Sequence, residues 1–559
     1  MTTGRRRGLA AALVVLLLGS ACTDGTDDPT APSPQEDSPP IGQPSTDADD
    51  RGTLRFALGS DPASIDPRFI SDDEGALVVD ALFDSLVALD DDLVAVPAAA
   101  TSWTIDEARR LYTFELRDDA TFHDGTPVTA SDFVRSFQRI ADGTAEPPSF
   151  LFYQLAAVVG FDEARTAGTP LAGVRATAEH TLEIELTEPF EDFLYVLADP
   201  SLAPVPPVAD EDPARFRERP VGNGPFAMAS DWQHNQFIRV VAYAEHTTPP
   251  RLNEVVFQIF ADDAARDQQY DDFQRGLVDV AEIPASALAT ARQEHGRSDD
   301  GYSGPGVLDG VTGTVYYLGF NTQQPPLDDP AVRRALSMLI DRDGIVEDIM
   351  LDVRVVARGL VPPSVPGAAV DACSHCLYNP EAARAALTAE DGTILGGLEG
   401  PLRIFHNTGT TNRRIADRIA RDVEAALGIE VEVTSADLEP FVEQVRAGDV
   451  DLFRIGWQAE YPSPGSVLLP LFRTAAIGQD NLTRYSDPEV DALLEQARTT
   501  VDRTERFDLY RQAEGRILEA APVAPIFFYR HSRVVADTVA GFQLGPFGNV
   551  DLTQVQMSR

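Results

Sequence analysis

Residues 448–464 read GDVDLFRIGWQAEYPSP. Val450 and Leu452 fall on one face of an extended chain and Phe453, Ile455 and Trp457 on the other, the pattern of a strand covered on both sides. Arg454 interrupts that pattern, and a guanidinium on a buried strand needs a carboxylate or several carbonyl acceptors. Upstream, PLRIFHN reads as a strand, and residues 412–427 read as a helix that buries Ile415, Ile419, Val423 and Leu427 and stops at Gly428. IEVEV is a second strand, and DLEPFVEQVRAG a helix ending at Gly448. Strand, helix, strand, helix, strand is the signature of a parallel sheet covered by helices. Before it, TVYYLGFN is an apolar strand, followed by a helix capped by Asp329 with Pro330 at its first position. This region is α/β.

Ligands of open α/β sheets bind beyond the carboxyl ends of the strands, where Glu460 stands. Arg454 and Glu460 are separated by roughly 20 Å of extended chain at most, so a zwitterionic ligand can lie between them. A structural alternative pairs Arg454 with Asp451 or Asp449 and leaves Glu460 as a solvated loop residue. Patterning alone leaves both readings open.

With 559 residues the chain exceeds one hydrophobic core, so two or more lobes are expected. The formal net charge is -44, and such a surface repels rather than neutralises phosphates, which argues against nucleic acid as a partner. Lys is absent, so all 45 fixed side-chain cations are Arg. The start, MTTGRRRGLAAALVVLLLGSAC, has a basic segment, an apolar run too short to span a bilayer comfortably, and small residues before Cys22. LGSAC resembles a bacterial lipobox, which implies a signal peptide over 1–22 and lipidation of Cys22, with the protein held on the outer face of the membrane. Residues 23–50, rich in Pro, Ser, Thr and Asp, read as a disordered tether. Cys373 and Cys376 in CSHC are expected to form a local disulfide in an exported chain; a zinc site needs two ligands beyond the cysteine pair, and His375 alone sits awkwardly between them.

From residue 51 the chain reads as folded. GTLRFAL, LYTFELRDD and HTLEIELTE alternate as strands, and TASDFVRSFQRI is a helix with Thr129 as N-cap and Phe133, Phe137 and Ile140 on one face. Strands and helices without strict alternation make the first lobe α+β. His123 and Asp124 in FHDGTPVTASDF read as a turn and helix start rather than catalytic groups, and GNGP at 222–225 as a turn rather than a phosphate loop. His-Glu-x-x-His, GxSxG and P-loop patterns are missing, so a hydrolase is disfavoured.

The segment SWTIDEARRLYTFELRDDATFHDGTPVTASDFVRSFQRI resembles the most recognisable block of family 5 bacterial extracellular solute-binding proteins, the peptide-binding components of ABC importers. VGNGPFAMASDW, LGFNTQQPPLDDPAVRRALSMLIDRDGIV and YSDPEVDALLEQA follow in the family's order. Within the family, DLFRIGWQAEYPSPGSVLLPLF is similar to oligopeptide binders. The resemblance covers nearly all of 51–559 and implies a two-lobed periplasmic-binding-protein-like fold with a cleft between the lobes and crossing strands at a hinge. Lobe I is expected over 51–312 plus 523–559, and lobe II over 313–522.

The resemblance further implies a monomeric, non-enzymatic protein without cofactor or metal, binding an oligopeptide and delivering it to ABC permease subunits. A nickel complex, haem or a sugar is the alternative solute. It places Glu460 where an Asp usually holds a peptide α-ammonium, and Arg454 where an Arg meets a ligand carboxylate. Gly456, Trp457 and Gln458 fall on the strand whose backbone pairs with an extended peptide. Ser71, Asp72 and Asp73 match a loop beside the peptide. His406, Asn407 and Thr408 match the ligand's far end, and Phe152 or Tyr153 the cleft wall.

Overall fold

The structure, a computed structural model, describes residues 52–261, 264–388, 394 and 401–558. The expected signal peptide over 1–22, Cys22 and the tether over 23–50 lie outside the described residues. Two lobes are built on separate sheets.

The first lobe carries a seven-stranded sheet with strand order Gly306–Leu308, Arg533–Val535, Val280–Glu282, Thr53–Leu58, Glu254–Ile259, Phe237–Ala242 and Phe226–Met228. Thr53–Leu58 runs parallel to both neighbours, and the remaining pairs are antiparallel. A second, four-stranded antiparallel sheet contains Leu111–Leu116 and Thr181–Glu185. Against it packs the helix Ala130–Ala141, burying Phe133, Phe137 and Ile140. The Asp132 carboxylate closes the helix start by accepting from the Thr129 N–H at 2.9 Å and its hydroxyl at 2.8 Å.

The two motifs read as turns hold each other. His123 Nδ1 accepts from the Gly222 N–H at 3.2 Å and Nε2 faces the Gly224 carbonyl at 3.0 Å. Burial pushes the imidazole down to about 4, so it stays neutral. A Cβ on Gly222 would stand 1.9 Å from the Leu82 carbonyl oxygen, so this turn tolerates only glycine there.

The second lobe is a six-stranded sheet with order Arg354–Val356, Val523–Arg530, Val311–Phe320, Leu452–Gln458, Leu402–Asn407 and Val431–Ala436. The last three strands are mutually parallel, as their helical crossovers require. Helix Thr410–Leu427 buries Ile415, Ile419, Val423 and Leu427 and ends at Gly428 with φ 71°. The parallel reading does not extend to Val311–Phe320, which runs antiparallel to Leu452–Gln458. That strand enters from the first lobe, and more than eighty residues separate it from Leu402–Asn407, so no short crossover fixes its direction. The chain was expected to rejoin the first lobe at 523; the strand Val523–Arg530 instead pairs with Val311–Phe320 and Arg354–Val356, and the seven-stranded sheet regains the chain at Arg533.

Phe453, Ile455 and Trp457 enter one core of this lobe and Leu452 the other. Val450 precedes the strand and packs with Phe453 rather than with Leu452. The lobes also touch beside the hinge. Asp192, fully buried, accepts from Ser463 Oγ at 2.6 Å and lies 3.1 Å from Arg506 Nε, while Arg498 reaches Glu188 at 2.6 Å.

Candidate functional site

Beyond Phe453 the strand Leu452–Gln458 changes character. Its register with Leu402–Asn407 comprises Ile404 opposite Leu452 and Phe405 opposite Phe453 and then stops, whereas its register with Val311–Phe320 continues to Gln458 opposite Thr314. Arg454 to Gln458 are therefore laddered along one edge only. The even positions Arg454, Gly456 and Gln458 are half-exposed, while Ile455, Trp457 and Ala459 are buried; Glu460, next in the even row, is exposed. A β-strand's period of two thus lays Arg454, Gly456 and Gln458 along the cleft, with Glu460 just past the strand's end.

At one end of that row the Arg454 guanidinium lies 5.0 Å from the Tyr316 ring centroid. Its Nε is buried without a hydrogen-bond partner, as are the Tyr316 hydroxyl and His406 Nε2. Among the described residues no carboxylate forms an ion pair with Arg454; Asp451 is taken by Arg403 at 3.0 Å. The structural alternative for Arg454 therefore fails. His406 is buried, its Nδ1 2.8 Å from the Asn407 carbonyl, and burial with Arg413 and Arg454 nearby lowers its pKa, so it is neutral. The Arg454 Nε–H and the Tyr316 hydroxyl are unused donors that call for an acceptor-bearing occupant, whereas His406 Nε2, with Nδ1 donating to Asn407, is left as an acceptor.

At the other end, Glu460 meets the first lobe. The Tyr153 hydroxyl stands beside its carboxylate and favours the charged form, and Asp199 and Asp480 stand near enough to repel it. The side chain is exposed, yet partial desolvation by the surrounding protein, with Asp199 and Asp480 adding to it, raises its pKa to about 8. Asp480 is pushed to about 6 by burial, with Arg446 opposing. The end of the row is thus a carboxylate cluster short of cations.

The expected residues divide. Asp73, at the first turn of helix Asp73–Leu82, meets Gln458 across the cleft. Asp72 is spent as that helix's N-cap, accepting from Gly75 N–H at 2.6 Å and Ala63 N–H at 2.8 Å, and Ser71 is exposed beside it. Asn407 accepts from Asn412 Nδ2 at 3.2 Å, and the exposed Thr408 hydroxyl donates to Asp437 at 3.1 Å; both belong to the turn next to His406. Two side chains do not face the cleft. Trp457 is buried, its Nε1 donating to the Ser466 carbonyl at 2.8 Å, so only its backbone remains for a ligand. Phe152 is buried against Phe161 with the Arg165 guanidinium 3.9 Å from its ring centroid. The 3₁₀ turn Leu151–Leu155 turns the next residue, Tyr153, toward Glu460 instead. Asp199, Asp480 and Tyr316 were missed, since they come from three remote segments and break no local pattern.

Cys373 and Cys376 are bonded to each other, with Cα atoms 5.4 Å apart, and the buried His375 donates through Nε2 to the Leu518 carbonyl at 2.8 Å. With both sulfurs in a disulfide, the trio offers no metal site.

The model of bacterial extracellular solute-binding proteins, family 5, matches residues 94–479. The chain belongs to this family. It is 29% identical over 508 residues to the periplasmic oligopeptide-binding protein OppA of Escherichia coli K12, covering 88% of this chain and 90% of that protein. It is 31% identical over 507 residues to the probable deoxycholate-binding periplasmic protein YgiS of the same strain, with the same two coverages of 88% and 90%. Among solved structures, the unliganded open form of the murein tripeptide-binding protein MppA matches with a TM-score of 0.75 at 25% identity, over 91% of this chain and 98% of that one. The family 5 solute-binding chain thus has the two-lobed architecture of periplasmic peptide binders. Among its described residues no helix is long and apolar enough to cross a membrane.

Proposed function

We propose that this protein captures oligopeptides in the interlobe cleft, extracytoplasmically and anchored through Cys22, and delivers them as a monomer to an ABC importer permease without chemical change to the ligand. The observation that carries the reading is the half-laddered strand Arg454–Gln458 ending in a carboxylate cluster. A peptide added along its free edge gains main-chain hydrogen bonds from Gly456, Trp457 and Gln458 without regard to side chains. Its α-ammonium meets Glu460 with Tyr153, and its carboxylate meets Arg454 near Tyr316 and His406. Asp73 closes over the ligand from the first lobe, with Ser71 and Asp72 shaping that loop and Asn407 and Thr408 the far turn. Closure follows because ligand contacts both lobes in the closed form only.

A panel of tri- to pentapeptides tests this by thermal shift. Tm rises with free peptides, falls back with N-acetylated ones, and the gain is lost in Glu460→Ala. Equal binding of acetylated and free peptides refutes the ammonium role, and recovery of cleaved peptide by mass analysis refutes the non-enzymatic role. The 31% identity to a probable deoxycholate binder makes deoxycholate the second ligand to try; a Tm gain with it and none with peptides overturns the peptide reading.

A further inference from the structure

Between the hinge strands and the first lobe lies a cavity of about 160 Å³ whose lining includes Gln458 and Asp73. A cavity of roughly this size admits a group as large as benzene. Its two walls differ. On the first-lobe side, Glu282 is paired with Arg266 at 2.6 Å and with Arg533 at 3.5 Å, and Asp73 and Glu74 lie within the field of Arg533. On the second-lobe side stand Thr312, Arg354 and Arg530. Thr312 Oγ1, Arg354 Nε and Arg530 Nε are all buried without hydrogen-bond partners. Neither arginine forms an ion pair among the described residues: Arg354 lies 4.3 Å from the Tyr529 ring centroid and donates to the Val353 carbonyl at 2.7 Å. The acid that acts most on Arg530 is Asp309, already shared by Arg292 at 2.6 Å and Arg297 at 2.8 Å. Burial and neighbouring guanidiniums lower the pKa of both Arg354 and Arg530. This wall holds excess positive charge and three unused donors.

We propose that the cavity is a side-chain subsite that selects peptides carrying an Asp or Glu, whose carboxylate is held by Arg354, Arg530 and Thr312. The assignment rests on the oligopeptide reading and deepens it. A planar guanidinium matches a carboxylate with two parallel hydrogen bonds. The position beside Gln458, two residues back from Glu460, places the selected side chain near the second or third residue of a ligand whose amine sits at Glu460. Acidic side chains there would also complete the charge balance between the two walls and favour the closed lobes.

The test is calorimetric titration of purified protein with Ala-Glu-Ala-Ala and Ala-Ala-Glu-Ala, their Gln counterparts, and tetra-alanine, repeated on Arg354→Gln and Arg530→Gln. In the unmutated protein one Glu peptide is expected to bind about tenfold more tightly than its Gln partner, and that ratio to fall below about twofold in both variants. Equal Glu and Gln affinities with tetra-alanine still binding overturn the subsite and leave the oligopeptide reading standing. Failure of every peptide to bind overturns both. Free glutarate or phosphate giving the same variant-sensitive signal overturns the side-chain assignment in favour of a free-anion site. The unmutated ratio alone decides the matter if a variant fails to fold.

Discussion

Two sets of charges lie at the boundary between the lobes, and they are treated oppositely. Asp192 is fully buried and answered from the second lobe by Arg506, Ser463 and Tyr510. Arg454 and Glu460, six residues apart in one row, are left without opposite partners among the described residues. Where charges hold the lobes they are ion-paired across the boundary; where they face the cleft they are left without an opposite charge. Unpaired charge in a deep cleft is costly in the empty protein, and a complementary ligand recovers that cost on binding. The contrast separates architecture from binding.

The largest expected effect tests the ion-paired side. Asp192→Ala leaves Arg506 buried without its acid and is expected to cost about 3–5 kcal/mol of stability, read by denaturant unfolding. The double variant Asp192→Leu with Arg506→Met is expected to recover much of that loss, because no uncompensated charge remains. A loss under about 1 kcal/mol in the single variant would remove the distinction between the two sets.

Arg454→Met tests the open side and reads in binding. Peptide affinity is expected to fall by roughly tenfold or more, while the unliganded protein keeps or gains stability since a half-buried unpaired charge has gone. A stability loss above about 2 kcal/mol would make Arg454 a structural residue and erase the comparison.

Glu460→Gln gives a smaller effect with a definite sign. The carboxylate's folded pKa of about 8 lies above its ordinary 4.5, so its stabilising protonated state is complete below 4.5 and is lost as pH rises through 8. Gln cannot ionise. The variant's Tm advantage over the unmutated protein is therefore expected to grow between about pH 5 and about pH 9. An advantage that shrinks over that range would mean that Glu460 has a cation partner in the empty cleft.

Much of this was legible because it is local. The helix stops at Gly428 and Gly448, the capped start at Asp329 and the strand Leu452–Gln458 each follow from periodicity and capping within a few residues. Arg454 and Glu460 stood out for the same reason, as charges that break an apolar pattern. The direction of Val311–Phe320 and the place of Val523–Arg530 were not legible, because they depend on a crossing between lobes hundreds of residues apart in sequence. The choice between Phe152 and Tyr153 stayed open because they are adjacent in a short turn without period, where sequence offers no face to assign. Asp199 and Asp480 enter the Glu460 cluster only through folding.

The smallest expected effect is the control that ties the comparison to one strand. Asp451 immediately precedes Leu452–Gln458 and pairs with Arg403 at 3.0 Å, with Arg403 about half exposed. Here a pair exists, yet it sits at the solvent end of the sheet rather than in the cleft or between the lobes. High dielectric and salt screening limit such a pair to about 0.2–1 kcal/mol, so Arg403→Gln is expected to shift stability within that range and leave peptide affinity unchanged. If Arg403→Gln weakened peptide binding as much as Arg454→Met, charge along the whole strand would act as one field, and position in the cleft would not be what distinguishes Arg454. If only Arg454→Met does so, the distinction belongs to the cleft geometry: the point three residues on from Asp451 where the ladder to Leu402–Asn407 ends and the strand edge becomes free.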